Sequence, residues 1–228
     1  AERISELKPE WFKGYELVGD VKNAMQDYPG AELAYQQAMK REPSTALLIK
    51  IAQTYMYRGQ LSKAERRLGE WMERKGVDDQ SLLLLGIIYQ RQNNLEKAVK
   101  TYESAMARGA ADNPIALNNL AGLYDQLNDP RALAMGEHAY RSNPDAADIQ
   151  DTYGWLLTRY GDASEGKRLL EKALVKLPGN PDIRYHLAVA LLNTGDKAGA
   201  EAILKQLVSE DRDFSSKQEA IEKYKNIK

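Results

Sequence analysis

The chain has 228 residues, 43% hydrophobic and 29% charged, and its 32 basic and 33 acidic residues leave a formal net charge of -1. This is ample apolar material for a core, which argues against a disordered chain, and the even mixture of charges gives no electrostatic footprint for nucleic acid or anionic lipid. The longest apolar run, Leu82 to Ile88, is interrupted by Gly86 and falls far short of the roughly 20 residues of a membrane span; with no Cys, disulfides, thiol catalysis and thiolate metal sites are excluded.

The chain starts Ala1-Glu2-Arg3, without an initiator Met or the basic-then-apolar order of a signal peptide, and reads as a processed or trimmed piece of something longer. Residues 1–11, with Ile4, Leu7 and Trp11, are expected to be a leading segment or the remnant of a preceding repeat. From Phe12 onward the sequence is periodic. Small residues recur at Gly19, Ala52, Gly86, Ala121, Gly154 and Ala188, separated by 33, 34, 35, 33 and 34 residues. A second series, Ala31, Ala64, Ala98, Ala132, Gly166 and Ala200, follows the first by 12, 12, 12, 11, 12 and 12. Small side chains at both places let two antiparallel helices approach closely, so each repeat reads as a helix hairpin.

Breakers fall where this reading needs them. Pro43, Pro114, Pro144, Pro178 and Pro181 lie between hairpins, because proline removes a donor and restricts the residue before it. Gly59, Gly161 and Gly195 fall in the turns inside hairpins, where a left-handed backbone is expected. Pro130 shortens the fourth turn, Lys22 replaces an aromatic residue in the first repeat, and Trp71 stands where the second repeat calls for a small residue. At the end, Ser216 and Glu219 have capping-box spacing, and a helix from there to about Ile227 would cover the last hairpin with Ala220, Ile221 and Tyr224.

A period near 34 residues resembles that of the tetratricopeptide repeat. The third repeat matches its consensus at Leu82, Leu85, Gly86, Tyr89, Ala98, Tyr102 and Ala105, and the first at Tyr15, Val18, Gly19, Ala31, Tyr35, Ala38 and Pro43. The resemblance implies an all-α solenoid, a right-handed superhelix of about six hairpins over residues 12–214, closed by a capping helix over residues 215–228.

No catalytic role or cofactor is expected. His138 and His186 are on different repeats without a second ligand at metal-binding spacing, no phosphate loop, nucleophile elbow or His-Glu-x-x-His pattern appears, and the carboxylates Glu65, Glu70 and Glu73 read as the solvated face of one helix. By resemblance, the concave wall formed by the first helices is the binding face. Its candidates are Gln53, Met56 and Tyr57; Leu83, Ile87 and Gln90; Asn118, Gly122 and Asp125; Asp151, Trp155 and Arg159; then Tyr185 and Val189. The paired Lys, Asn and Arg pattern of carboxylate-clamp members that hold chaperone tails is lacking. Trp155 has two readings: core packing between repeats, or an aromatic platform supported by Asp151, Arg159 and Tyr185.

Certain strings are similar to the carboxy-terminal half of the tetratricopeptide-repeat lipoproteins of bacterial PEP-CTERM and exopolysaccharide gene clusters. They are Asp27-Tyr28-Pro29-Gly30-Ala31, Asn118-Asn119-Leu120-Ala121, Asp129-Pro130-Arg131-Ala132-Leu133, Asp151-Thr152-Tyr153-Gly154-Trp155 and Asn180-Pro181-Asp182-Ile183-Arg184-Tyr185. Gly122 departs from that pattern, standing where the family has Trp, so a dent is expected there. The resemblance implies a periplasmic scaffold, anchored to the outer membrane through an amino-terminal lipid outside these residues, that binds a protein or peptide of an envelope secretion or export complex. Direct binding of the exported polysaccharide, with Trp155, Tyr185 and Tyr57 as stacking platforms and Asn118, Asp125 and Asp151 as hydroxyl acceptors, and a cytoplasmic peptide adaptor are the alternatives.

Overall fold

A computed structural model describes residues 10–227, so only Glu10 and Trp11 of the expected leading segment lie within it. The described residues form two compact units that divide between Ala110 and Ala111. The first holds α1 (Phe12–Ala24), α2 (Tyr28–Arg41), α3 (Thr45–Tyr57), α4 (Leu61–Lys75), α5 (Asp79–Arg91) and α6 (Leu95–Ala105). The second holds α7 (Pro114–Gln126), α8 (Ala132–Ser142), α9 (Ala147–Tyr160), α10 (Ala163–Lys176), α11 (Pro181–Asn193), α12 (Lys197–Ser209) and α13 (Lys217–Ile227). Consecutive helices pair into three hairpins in each unit, and no strand occurs among the described residues. The all-α array read from the periodicity is therefore the fold.

Helix starts are written in local chemistry. The side chains of Asp27, Ser44, Asp78, Asn94, Asn113, Asp162, Asn180 and Asp196 each accept from a backbone N–H of the first turn that follows, which satisfies donors a helix leaves orphaned, each cap contributing about 1 kcal/mol. Pro114 and Pro181 open their helices, where the missing N–H costs nothing.

Inside the hairpins the two small-residue series meet. A Cβ on Gly19 would lie 2.3 Å from the Tyr35 ring, and one on Gly86 would lie 2.7 Å from the Tyr102 ring. In the fifth hairpin both positions are glycine: a Cβ on Gly166 would sit 2.6 Å from the Gly154 carbonyl oxygen, so α9 and α10 touch backbone to backbone. Around these crossings the core of the first unit gathers Tyr35, Leu48, Ile51, Leu68 and Ile88, and that of the last hairpin Tyr185, Val189, Leu204 and Leu207, with Ala220 of α13 completing it.

One of the expected glycine turns departs from expectation. Gly59 and Gly195 adopt positive φ (69° and 91°), but Gly161 does not: its φ is -139°. The other hairpins reach the left-handed region without glycine, at Gln26, Asn93 and Asn128 (φ 61°, 57° and 54°); asparagine tolerates it because its short amide bonds locally. The one spacing of 35 residues in the first series coincides with a π turn, Met106–Ala110, in which Gly109 has φ 141°; the extra residue is absorbed there. At the carboxy end, the expected capping box is replaced by a link to the preceding hairpin: the Ser216 N–H and hydroxyl both donate to Asp182 Oδ1 (3.0 Å each), tying down the start of α13.

Gly86→Ala should lower the free energy of unfolding by about 1–3 kcal/mol through overpacking, because Tyr102 is fully buried and held by a 2.7 Å hydrogen bond from its hydroxyl to Gln90. Gly122→Ala, whose Cβ would meet nothing within 4 Å, should raise it by about 0.5–1 kcal/mol through helix propensity. Urea denaturation of both variants checks the opposite signs.

Candidate partner-binding face

The candidate residues lie on first helices, beside the positions that pack. In the first unit Gln53 and Tyr57 are exposed, Leu83, Ile87 and Gln90 are half-buried, and Met56 is buried. Tyr57 stacks on Tyr28 of the same unit with ring centroids 5.2 Å apart, and Gln90 is engaged by the Tyr102 hydroxyl. These residues carry no network comparable to the one in the second unit.

There, Asn118, Gly122 and Asp125 form one stripe of α7 at the i, i+4, i+7 spacing. Asp125 is only 8% exposed, and its carboxylate gathers donors from α9: Trp155 Nε1 at 3.1 Å, Arg159 Nη1 at 2.6 and 2.7 Å to its two oxygens, and the Tyr160 hydroxyl at 2.7 Å. A carboxylate at low exposure is tolerable when paired and bonded in this way. The Arg159 guanidinium carbon also lies 5.5 Å from the Trp155 ring centroid and 4.8 Å from that of Tyr160. Burial, then the hydrogen bond to Asp125, pushes the Tyr160 phenol above its ordinary value.

A second link runs from α9 to α11. Asp151 Oδ1 and His186 Nδ1 are 2.7 Å apart, both side chains less than a fifth exposed, and the His186 ring stacks on Trp155 at 4.4 Å between centroids. Tyr185, tilted against Trp155 at 6.1 Å, is 5% exposed, and Val189 is buried beside it. Burial, followed by the carboxylates of Glu219 and Glu222, pushes the Tyr185 phenol up to about 12. Asn193 Nδ2 donates to the Thr158 carbonyl at 3.0 Å and braces the same pair of helices.

Of the two readings of Trp155, the structure bears on core packing. The side chain packs against the core of the last hairpin, yet it is half-buried and its N–H is fixed by Asp125. One turn before Asp125, Gly122 leaves open space, since a Cβ there would meet nothing within 4 Å. Beside it, Asn118 has a buried Oδ1 that accepts no hydrogen bond among the described residues.

Tyr160 and His186 were not among the candidates, although the period contains the signal. Asp125 and Arg159 are 34 residues apart and Asp151 and His186 are 35 apart, so each pair occupies neighbouring positions on successive first helices. Complementary residues one period apart were the clue. Among the described residues no group of three or more His, Asp or Glu could hold a metal ion, and no helix is long and apolar enough to cross a membrane.

Family models described as tetratricopeptide repeat match residues 157–223 and 81–114. The TPR repeat-containing protein PA4667 of Pseudomonas aeruginosa is 26% identical over 157 residues, covering 66% of this chain and 26% of that protein. Among solved structures, the APC/C hetero-tetramer Cut9-Hcn1 matches with a TM-score of 0.80 at 14% identity, over 98% of this chain and 44% of that one. YrrB, described as a TPR protein with an unusual peptide-binding site, matches with a TM-score of 0.61 at 17% identity, over 83% of this chain and 98% of that one. The match therefore spans about a quarter of PA4667 and under half of the Cut9-Hcn1 chain.

Asp125→Ala, which leaves an arginine, a phenol and an indole N–H without their common acceptor, should lower unfolding free energy by about 2–4 kcal/mol, the partial exposure of Arg159 keeping it below a fully buried pair. Asp151→Ala should cost only about 1 kcal/mol; equal losses in urea denaturation would contradict the central role given to Asp125. The raised Tyr185 pKa favours its neutral form in the folded chain, so this contribution to stability is complete below the ordinary tyrosine value near 10 and is lost as pH rises toward 12. Melting temperatures across that range should fall less in Tyr185→Phe than in the unaltered chain.

Proposed function

Because the chain is a tetratricopeptide-repeat protein, we propose that it acts as a non-enzymatic scaffold that binds a protein or peptide partner along the first helices of residues 111–228. The observation that carries this reading is the fixed array of Asp125, Trp155 and Arg159 beside the open space at Gly122. A side chain of the partner enters at Gly122 against the Trp155 edge. Asn118 offers its amide to the partner's backbone, and Arg159, whose bonds to Asp125 use Nη1 alone, keeps its other N–H groups for a carbonyl or carboxylate. Groups already held in place lose little freedom on binding, which favours affinity. The peptide-binding site for which YrrB is described supports the same use of the fold.

The polysaccharide reading receives less support. Trp155 has one ring face against His186, Tyr57 stacks on Tyr28, and Tyr185 is buried, while Asp125 and Asp151 already have donors. The setting we propose is bacterial envelope export or assembly of an exopolysaccharide or surface protein, in the periplasm, with anchoring by an amino-terminal lipid. Its support is the likeness of the strings around Asp27, Asn118, Asp129, Asp151 and Asn180 to that lipoprotein family.

A photo-crosslinking residue at Gly122 should trap a discrete protein partner in cells, whereas the same residue at Gly69, which also faces open space, should not. Gly122→Trp should weaken that partner's binding at least about tenfold, the scale of one filled hot-spot pocket. Equal adducts from both positions, or saturable binding of the polymer with no protein adduct, would overturn the reading.

A further inference from the structure

A cleft of about 540 Å³ lies in the first unit, lined by the second helices α2 and α4 and by Leu48 and Tyr55 of the first helix α3. Its apolar part is formed by Met39, Pro43, Leu48 and Tyr55 together with Trp71, the residue that stands where the repeat calls for a small one. The indole is 8% exposed and its N–H donates to Thr45 Oγ1 at 3.3 Å, so the large ring is held as one wall of the cleft. Around it stand Lys40, Arg67, Arg74 and Lys75, and no carboxylate lines it. Arg67 uses Nη1 for Glu70 at 3.2 Å, but its Nε is buried and has no acceptor among the described residues. A buried donor of this kind costs stability unless something supplies the oxygen.

The corresponding junction three repeats on is different. Between α8 and α10 the cleft is about 290 Å³, has Asp145 among its lining residues, and has Ala173 in the place of Trp71. That smaller cleft keeps one aromatic ring, Tyr140, and two cations, Lys172 and Lys176, whereas the Trp71 cleft has four cations and no carboxylate in its lining. The volume is that of a small-ligand or side-chain pocket. Glu42 and Glu73, next in sequence to Arg41 and Arg74, are exposed, and this mixed charge around the helix ends favours a discrete acidic ligand over an anionic bilayer.

We propose that this cleft is a second binding site, for an acidic peptide segment that places one apolar side chain against Met39 and Trp71 while carboxylates on either side pair with Lys40, Arg67, Arg74 and Lys75. Charge-assisted bonds from arginine to carboxylate give such a site its selectivity. The site is independent of the one proposed on the first helices.

The test uses the full chain and a fluorescein-labelled hexapeptide, Glu-Asp-Leu-Phe-Glu-Asp, followed by fluorescence anisotropy. The expected result is saturable binding that weakens with salt, falls at least about tenfold in the surface variant Arg74→Glu/Lys75→Glu, and is unchanged in Gly122→Trp. A peptide with Lys in place of each acidic residue should not bind. No saturable binding to the unaltered chain, equal binding of the lysine peptide, or undiminished binding to the double variant would overturn the proposal. So would sedimentation with phosphatidylserine vesicles that the double variant abolishes in the absence of any peptide binding. Because Arg74 and Lys75 are exposed, circular dichroism of the double variant should match the unaltered chain.

Discussion

Everything in this chain depends on how closely two helices can cross. The small residues at the first-helix position and their partners twelve residues on remove the side chains that would hold the backbones apart. Neighbouring side chains then fill the space, as the Tyr35 and Tyr102 rings do over Gly19 and Gly86. Interaxial distance follows from the side chains at the contact, so the two series set hairpin geometry more firmly than helix propensity does. With each hairpin fixed, the outward positions of successive first helices within a unit fall side by side at intervals of one period. Residues about 34 positions apart then become neighbours, and the Asp125 cluster is a consequence.

That cluster illustrates a division of labour. Leu120, Ala121 and Tyr124 are buried and belong to packing, while Asp125, on the other side of the same turn, spends its whole carboxylate on α9. A carboxylate so placed costs desolvation and returns specificity, because only one arrangement of indole, guanidinium and phenol satisfies it. Gly122, by contrast, gives up packing where a side chain would have fitted. A fixed polar array next to an unfilled space is the physical basis for reading this face as a recognition surface. The Trp71 cleft follows the same logic on the opposite kind of helix, where a large residue in place of a small one creates a wall.

Much of the fold was legible because it is periodic: the small-residue series, the prolines between hairpins and the acidic or amide caps are local signals that repeat. The exceptions are also local. Gly161 was read as left-handed from its place in a turn, yet asparagines at 93 and 128 do that task elsewhere, since several residue types can reach positive φ and the turn dictates only that one must. The site was less legible. Asp125 and Tyr185 were rightly placed on first helices, but nothing along a single helix says that a residue near the wall will be 8% or 5% exposed; that depends on the next hairpin. His186, read as solvated or packing, owes its stack on Trp155 to Asp151, a residue one period earlier.

The central claim is that the first-helix face of residues 111–228 is preformed, with Trp155 locked by Asp125 before any partner arrives. The most direct measurement is the indole N–H spectrum of the free, nitrogen-15-labelled chain, with Trp155→Phe identifying the resonance among the three tryptophans. A single Trp155 resonance, slow to exchange with water and losing that protection in Asp125→Asn, is the result expected. An indole proton that exchanges as fast in the unaltered chain as in that variant would show that the clasp does not hold.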